Sequence, residues 1–155
     1  MDDSLNTLEA CERLCLSNNE IERIIPLPKL RNLKVLSLGR NNIKSLKGLE
    51  EVGQSLEELW ISHNIIEKLD GIMQCVKLQM FFVSNNRIKS WDEIAKLAVL
   101  PEIKSLLLYG NPIYNDKSSE DNAPLVVRRV PQLEQIDGVM VSSAVRKMAE
   151  QMEEE

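Results

Sequence analysis

One short pattern recurs five times along the 155-residue chain, and this repetition constrains the fold more than any other feature. The pattern is Leu-x-x-Leu-x-Leu-x-x-Asn-x-Ile, with conservative replacements, and its copies occupy residues 11–21, 33–43, 56–66, 78–88 and 103–113. Successive asparagines are 22, 23, 22 and 25 residues apart. Because regular self-similarity at such a period is the signature of stacked coils, we expect a solenoid and not a domain built around a single centre.

Each fixed position of the pattern has a physical role in such a coil. The alternating apolar residues, as in Leu36 and Leu38, predict a short strand with both members facing inward. The asparagine falls where the chain leaves the strand, so its amide can satisfy backbone groups that the turn would otherwise bury without partners. This combination is a leucine-rich repeat. We therefore predict an α/β fold: a leucine-rich-repeat solenoid of about five to six coils of 22–25 residues, with a parallel concave sheet and helical caps at both ends.

The ends of a solenoid need covering, because a bare terminal coil would expose apolar surface and an unpaired sheet edge. At the front, Leu5, Leu8 and Cys11 share one face of a short helix predicted to start near Ser4. At the back, apolar residues continue without another asparagine turn. We expect a single domain over 1–155, with an N-terminal cap helix at 1–10, repeats at 11–113, a C-terminal cap at 114–141 and a terminal helix at 142–155.

Two helices are predicted from local signals. Residues 91–100 form the longest return between repeats, and Pro101 directly follows them, so this return is expected to be a true helix. In the terminal helix, Val145, Met148 and Met152 recur at helical spacing. Its final three glutamates place negative charge at the negative pole of the helix dipole, so we expect this end to fray.

Composition excludes several classes of protein. A hydrophobic fraction of 43% with 28% charged residues is that of a soluble globular chain. The net charge is −5 without a basic cluster, which argues against nucleic acid as a partner, and the apolar runs are too short to span a membrane. The three cysteines, Cys11, Cys15 and Cys75, provide no disulfide framework, so reduced thiols in the cytoplasm are expected.

No motif in the sequence points to catalysis. It contains no serine nucleophile elbow, no phosphate-binding glycine loop and no dinucleotide fingerprint. The single histidine, His63, cannot build a multi-histidine metal site. The adjacent acids Glu57 and Glu58 would point to opposite faces of a strand and could not share a substrate. We therefore predict a non-enzymatic protein without catalytic residues, cofactor, metal or small-molecule substrate.

The residues that flank the inward pairs point to the open, concave side of the sheet. A face without a binding role should be polar, yet large apolar side chains occupy three successive coils, although aromatic residues make up only 4% of the chain. Trp and Tyr dominate interface energetics. We predict a protein-binding face centred on Trp60 and formed by Trp60, Met80, Phe82, Leu107 and Tyr109. Its charged rim, expected to set orientation, is Arg13, Arg40, Glu58 and Lys104.

An alternative is that a cap or the terminal helix folds over these apolar side chains, since exposed hydrophobic groups need some cover.

Specific segments resemble a known family more closely than the generic repeat does. They are residues 36–44 (LSLGRNNIK), 56–64 (LEELWISHN), 1–5, 84–86, 110–112 and the cap segment 129–138. Together they resemble the axonemal outer-arm dynein light chain 1 family, over nearly the whole chain. Members of that family usually begin some residues earlier, so the resemblance implies a shortened N-terminal cap.

The resemblance implies a non-catalytic light chain in the axoneme of cilia or flagella. It implies a dynein heavy chain as partner, bound through the sheet face at the microtubule-binding tip of the stalk, and an influence on the motor's grip on the microtubule. By position, the binding residues would be Val35, Trp60, Met80, Phe82, Leu107 and Tyr109. Basic residues of the last helix, Arg146 and Lys147 here, would face the heavy chain or the microtubule, which makes tubulin a further candidate partner.

Two other non-enzymatic functions fit a chain of leucine-rich repeats. A regulatory subunit of protein phosphatase-1 has a similar repeat length, although that family typically carries many more repeats. A spliceosomal component similar to the A-prime protein would bind a protein beside RNA, and a basic groove would then be expected. The sequence of this acidic chain has no cluster of basic residues that could line such a groove.

Overall fold

The computed structural model describes residues 1–152 and shows a solenoid whose coils each add one strand to a common sheet. Over this range the sheet has seven strands in chain order. The strands are β1 (Arg13–Cys15), β2 (Val35–Ser37), β3 (Glu58–Trp60), β4 (Met80–Phe82), β5 (Ser105–Leu107), β6 (Gln135–Ile136) and β7 (Val139–Met140). Strands β1 to β6 pair in parallel, which confirms the predicted leucine-rich-repeat solenoid.

The core is a stack of aliphatic layers in strict register. Leu36 pairs with Leu14 on one side and with Leu59 on the other, and this column continues through Phe81 and Leu106. The inward pairs of the second to fifth coils are fully buried. In the first coil, Leu14 and its partner Leu16 are only half-buried because no complete coil stacks on their outer side.

The asparagines form the predicted ladder behind the strands. The Asn64 side chain accepts a hydrogen bond from the Ile43 N–H (2.9 Å) and donates to the carbonyls of Leu38 (3.0 Å) and Ile61 (3.1 Å). Each such amide therefore fastens its own turn to the preceding coil. Asn19 differs, because its side chain is exposed and bonds only to carbonyls of its own coil within the described range. The ladder thus begins at Asn41.

The returns on the convex side are mostly short 3-10 turns, at Leu49–Val52 and Ile72–Gln74. The predicted helix over 91–100 is only partly α-helical: α1 spans Trp91–Ala95 and continues as a 3-10 turn over Lys96–Val99. Helix ends often tighten in this way. The N-cap of α1 is a serine whose hydroxyl accepts from the Asp92 N–H at 3.2 Å.

The front cap differs from the predicted helix over 1–10. It is a single 3-10 turn, Asp3–Thr7, whose N-cap Asp2 accepts from the Ser4 N–H at 2.7 Å. Leu5 packs against the first coil, whereas Leu8 is exposed. One turn is too short to present both leucines to the same surface, so the apolar pattern predicted a longer helix than the one that forms.

The back cap contains α2 (Ser119–Arg129), then β6 and β7, and α3 (Ser143–Gln151). Strand β7 runs antiparallel to β6, so the parallel sheet of β1 to β6 ends in a hairpin at this edge. The cause is a two-residue hairpin turn at Asp137 and Gly138, whose φ angles are 52° and 81°. Positive φ at both positions is the geometry that favours Asp-Gly in tight hairpins.

The terminal helix α3 packs against α2. Its N-cap is Ser142, whose hydroxyl accepts from the Val145 N–H at 3.2 Å. The buried residue of the helix is Ala149, while Met148 is exposed, so the predicted apolar face is rotated from the observed one. The fraying predicted for the final glutamates falls on residues 153–155, outside the described residues.

Candidate protein-binding face

The strand register brings the residues predicted for the face into two adjacent columns. One column contains Val35, Glu58 and Met80, and the next contains Trp60, Phe82 and Leu107; Tyr109 follows β5 on the last coil with an asparagine turn. Trp60 and Tyr109 are each 43% exposed, and the other members are half-buried. We call this set the apolar face: Val35, Glu58, Trp60, Met80, Phe82, Leu107 and Tyr109.

An aromatic pair forms the centre of the apolar face. The rings of Trp60 and Phe82 meet edge to face, with centroids 4.8 Å apart and planes inclined by 64°. The indole N–H of Trp60 donates to the Glu58 carboxylate at 3.3 Å. The orientation of Trp60 is thus defined by one ring contact and one polar contact, while its outer surface stays in solvent. A large side chain held in place in this way loses little conformational entropy on binding.

The apolar face is open to solvent in the described structure. Trp60, Phe82 and Tyr109 line a shallow depression whose other walls come from strands and turns of the repeats. Helix α3 packs on α2 instead of crossing the sheet. The alternative that a cap or the terminal helix covers these residues is therefore wrong for residues 1–152.

Asp137 fixes the C-terminal end of the face, and the sequence did not indicate this role. Its carboxylate accepts from the backbone N–H groups of Leu108 (2.7 Å) and Tyr109 (3.1 Å) and from the buried hydroxyl of Tyr114 (2.5 Å). Burial, together with the neighbouring carboxylate, raises the pKa of Tyr114 well above its ordinary value. The Asp-Gly sequence at 137–138 was the signal that could have identified this turn.

Small polar groups line the rest of the depression. Ser84 donates its hydroxyl hydrogen to the Ser62 hydroxyl at 2.8 Å, and His63 Nε2 lies 3.4 Å from Asn85 Nδ2. Cys15 is exposed at the far end. Hydrogen bonds from the backbone N–H and hydroxyl of Ser17 favour the thiolate and lower the pKa of Cys15.

The two basic residues predicted as partner or microtubule contacts have different environments. The Arg146 guanidinium donates to the carbonyls of Pro131 (2.9 Å) and Leu133 (2.8 Å), so it fastens α3 to the back cap. Lys147 is exposed. The two residues therefore do not form a joint basic surface.

Residues 1–152 contain neither a metal-binding cluster nor a membrane-spanning helix. Within that range no three or more histidine, cysteine, aspartate or glutamate side chains are grouped so that they could hold a metal ion. No helix in the described part of the chain has the length and apolar character needed to cross a membrane.

The sequence repeats, the parallel register of the strands and the ladder of asparagine side chains identify the chain as a leucine-rich-repeat protein. A family model described as leucine-rich repeats (2 copies) matches residues 9–51 and 54–98. A solved structure of the Drosophila melanogaster SNF/U2A′ complex is similar with a TM-score of 0.78 at 19% identity, covering 89% of this chain and 79% of that one. An internalin C2 from Listeria monocytogenes gives 0.69 at 25% identity, covering 86% and 54%. These likenesses establish the fold alone.

Sequence relatives define the family. The chain is 48% identical over 154 residues to dynein axonemal light chain 1 of Chlamydomonas reinhardtii, covering 96% of the chain and 77% of the relative. It is 53% identical over 142 residues to dynein axonemal light chain 1 of Bos taurus, covering 91% and 75%. The chain belongs to the axonemal dynein light chain 1 family, which confirms the resemblance. Membership in this family implies a dynein light chain located in the cytoskeleton of the ciliary or flagellar axoneme.

Proposed function

We propose that the chain is a non-catalytic light chain of outer-arm dynein that binds the heavy chain through the apolar face. The observation that carries this proposal is the ordered Trp60–Phe82 pair, which lies on an open concave sheet beside the exposed ring of Tyr109. Family membership supports dynein as the assembly, and the heavy chain is the subunit that a light chain of this class would contact.

The energetics of the face suit a protein partner. Apolar groups that stay exposed in an isolated chain gain free energy when a partner removes them from water, at about 25 cal/mol per Å² of apolar area. Aromatic anchors at the centre of an interface supply most of that gain, and a polar rim orients the partner. Arg13 and Lys104 border the apolar face and, together with the carboxylate of its own Glu58, would form part of this rim.

We place the contact at the microtubule-binding tip of the heavy-chain stalk. A light chain bound there changes microtubule affinity only if it binds the microtubule-bound and free states of the heavy chain with different affinities. Lys147 is exposed and is our candidate for a contact with the heavy chain or with tubulin, whereas Arg146 is engaged with the back cap. Light-chain binding would then modulate the motor's grip on its track.

Calorimetry with a recombinant stalk-tip fragment of an outer-arm heavy chain tests the contact. We expect Trp60→Ala to weaken binding by about 2 kcal/mol or more, as central aromatic anchors do. Met73→Ala is the matched control, because Met73 is also 43% exposed but belongs to the convex 3-10 turn Ile72–Gln74. Binding within about 1 kcal/mol of wild type for both Trp60→Ala and Phe82→Ala would contradict the proposed face.

Co-sedimentation of the same fragment with microtubules, with and without the chain, tests the modulation. The proposal requires a shift in the fragment's apparent microtubule affinity when the chain is present, in either direction. Lys147→Ala should change that shift, whereas Lys29→Ala, a lysine exposed on the convex side near the front cap, should leave it unchanged. An identical microtubule affinity with and without bound chain would contradict the modulating role.

A further inference from the structure

The residue directly before each repeat asparagine has a left-handed backbone. These residues, which we call the turn row, are Asn18, Arg40, His63, Asn85 and Gly110, with φ angles of 61°, 56°, 58°, 54° and 80°. Glycine accepts this conformation without steric penalty, and asparagine and histidine are enriched in it. Arginine has no such preference, because its Cβ crowds the following carbonyl oxygen and it lacks a short polar side chain that could offset this cost through a local hydrogen bond. Arg40 is therefore the one member of the turn row whose residue type opposes the local backbone.

Contacts within the chain do not explain why an arginine occupies this position. Its backbone N–H donates to the Ser62 carbonyl at 3.0 Å, a bond that any residue except proline could make. Its guanidinium forms neither an ion pair nor a hydrogen bond with any residue of the described range, 1–152. The side chain is exposed. An unfavourable backbone conformation, combined with a guanidinium that has no partner among the described residues, indicates a functional role for Arg40 more than a role in folding.

The location of Arg40 indicates what it could bind. Arg40 and His63 line the same depression as Trp60 and Phe82, and no aspartate or glutamate among the described residues lines it. This is notable in a chain with 24 acidic and 19 basic residues. The acid of the apolar face, Glu58, lies in the neighbouring column and accepts from the Trp60 indole. One edge of the depression is therefore cationic although the protein as a whole is acidic.

We propose that Arg40 binds a carboxylate of the protein partner, directly beside an apolar partner side chain seated on Trp60 and Phe82. This inference rests on the proposed function, because it specifies the chemistry of the segment that the apolar face receives. A guanidinium can bind a carboxylate through two parallel hydrogen bonds, which fixes orientation as well as adding affinity. His63, the next member of the turn row, can donate a further hydrogen bond. The partner segment thus carries an aspartate or glutamate next to a large apolar residue.

Arg40→Asn is the informative variant, because asparagine suits the left-handed backbone and removes only the charged group. Its melting temperature should equal or exceed that of wild type, so any loss of binding could not be attributed to unfolding. Arg87→Asn is the matched control, since Arg87 is exposed, follows Asn86 and does not line the depression.

Selection of a random peptide library on the immobilised full chain tests the inference without assuming a particular partner. Wild type should enrich peptides in which an acidic residue adjoins an aromatic or large aliphatic one. Arg40→Asn should lose the acidic preference and keep the apolar one, and Arg87→Asn should behave as wild type. Failure of wild type to enrich such peptides, or equal acidic enrichment on Arg40→Asn, would overturn the proposal.

Binding of the heavy-chain stalk tip separates this inference from the proposed function. We expect Arg40→Asn to weaken that binding about tenfold at low salt and to reduce its salt dependence, because a charge pair is screened as ionic strength rises. If Trp60→Ala abolishes binding while Arg40→Asn retains wild-type affinity and salt dependence, the carboxylate contact is wrong and the apolar face stands. If neither variant alters binding of the stalk tip, the proposed heavy-chain contact is wrong, and the peptide selection alone decides the inference.

Discussion

The edge of one aromatic ring meets the face of another where Trp60 and Phe82 lie side by side on neighbouring strands, 4.8 Å apart between centroids. Such pairs contribute about 0.5–1.5 kcal/mol beyond the area they bury. We predict a coupling of that size between the two positions in the free chain. A double-mutant cycle of Trp60→Ala and Phe82→Ala, read from urea unfolding, measures it. If the stability losses of the two single variants sum to the loss of the double variant within about 0.3 kcal/mol, the rings do not interact in solution.

The asparagine ladder should dominate the stability of the middle coils. Asn64→Ala leaves the buried Ile43 N–H without its side-chain partner. It also removes one of two amide donors from each of the carbonyls of Leu38 and Ile61, which keep Asn41 and Asn86 respectively. A buried donor left unsatisfied costs about 1–3 kcal/mol, and the weaker bonding of the two carbonyls adds to that cost, so we expect a loss of about 2–4 kcal/mol in the free energy of unfolding. The midpoint of chemical denaturation, followed by circular dichroism, measures this loss.

Asn19→Ala is the internal control for this prediction, because Asn19 has the same position in the repeat but an exposed side chain. Water can replace its bonds to the Leu16 and Ser17 carbonyls, so its loss should cost less than about 1 kcal/mol. Equal losses for Asn19→Ala and Asn64→Ala would mean that burial does not set the strength of the ladder.

The repetitive part of the fold and the composition of the apolar face could be predicted from the sequence for one reason. A nearly constant repeat length with a period-two strand pattern determines which residues become neighbours across strands. The alignment of the copies alone places Trp60 beside Phe82, and the observed register agrees. A side chain that would be exposed in an isolated coil gains its neighbours when the coils stack. The repeat determines this stacking, because equivalent positions of successive coils lie next to each other.

The caps could not be predicted in the same way because they do not repeat. Pro124 lies inside α2 and argues against a helix there, although the helix forms and buries Val126 and Val127. In α3 the buried residue is the small Ala149, whereas the helical spacing of large apolar residues favours Met148, which is exposed. The left-handed backbone of Arg40 could not be predicted from its residue type either, since arginine has no preference for this conformation.

Tyr114 should make the chain sensitive to alkaline pH. Its pKa in the folded chain is raised above the ordinary value of 10.0, chiefly by burial and then by Asp137. Because the folded state holds this proton more tightly, the stabilisation is complete below about pH 10 and is lost as pH rises above it. We expect wild type to lose about 1.4 kcal/mol per pH unit relative to Tyr114→Phe in that range.

Urea unfolding of both proteins between about pH 8 and 11.5 measures this difference. At neutral pH, Tyr114→Phe should be the less stable protein by about 1.5–3 kcal/mol, because it lacks a hydrogen bond to a charged group. The two stabilities should then converge as pH rises. Tyr109→Phe, which alters an exposed side chain, should retain the wild-type profile; parallel profiles for wild type and Tyr114→Phe would refute the linkage.

The three cysteines differ in environment, which makes one of them a probe of the apolar face. Cys75 is buried, and burial raises its pKa to about 12, so it should remain an unreactive thiol in the folded chain. Cys11 is half-buried and donates its thiol hydrogen to the Arg13 carbonyl at 3.1 Å. Cys15 is exposed, and hydrogen bonds from Ser17 lower its pKa.

We predict that Cys15 is alkylated first in the native chain, because the thiolate is the reactive form and Ser17 favours it. Ser17→Ala removes the hydroxyl but keeps the larger contribution of the backbone N–H, so it should slow this modification only in part. Cys15→Ser should remove the fast phase altogether. Since Cys15 lines the same depression as Trp60 and Phe82, a heavy-chain stalk tip bound across that depression should protect it. Peptide-resolved mass spectrometry after brief treatment with iodoacetamide measures both effects. Full Cys15 reactivity in a complex that Trp60→Ala disrupts would show that the partner covers the aromatic centre but stops short of the first coil.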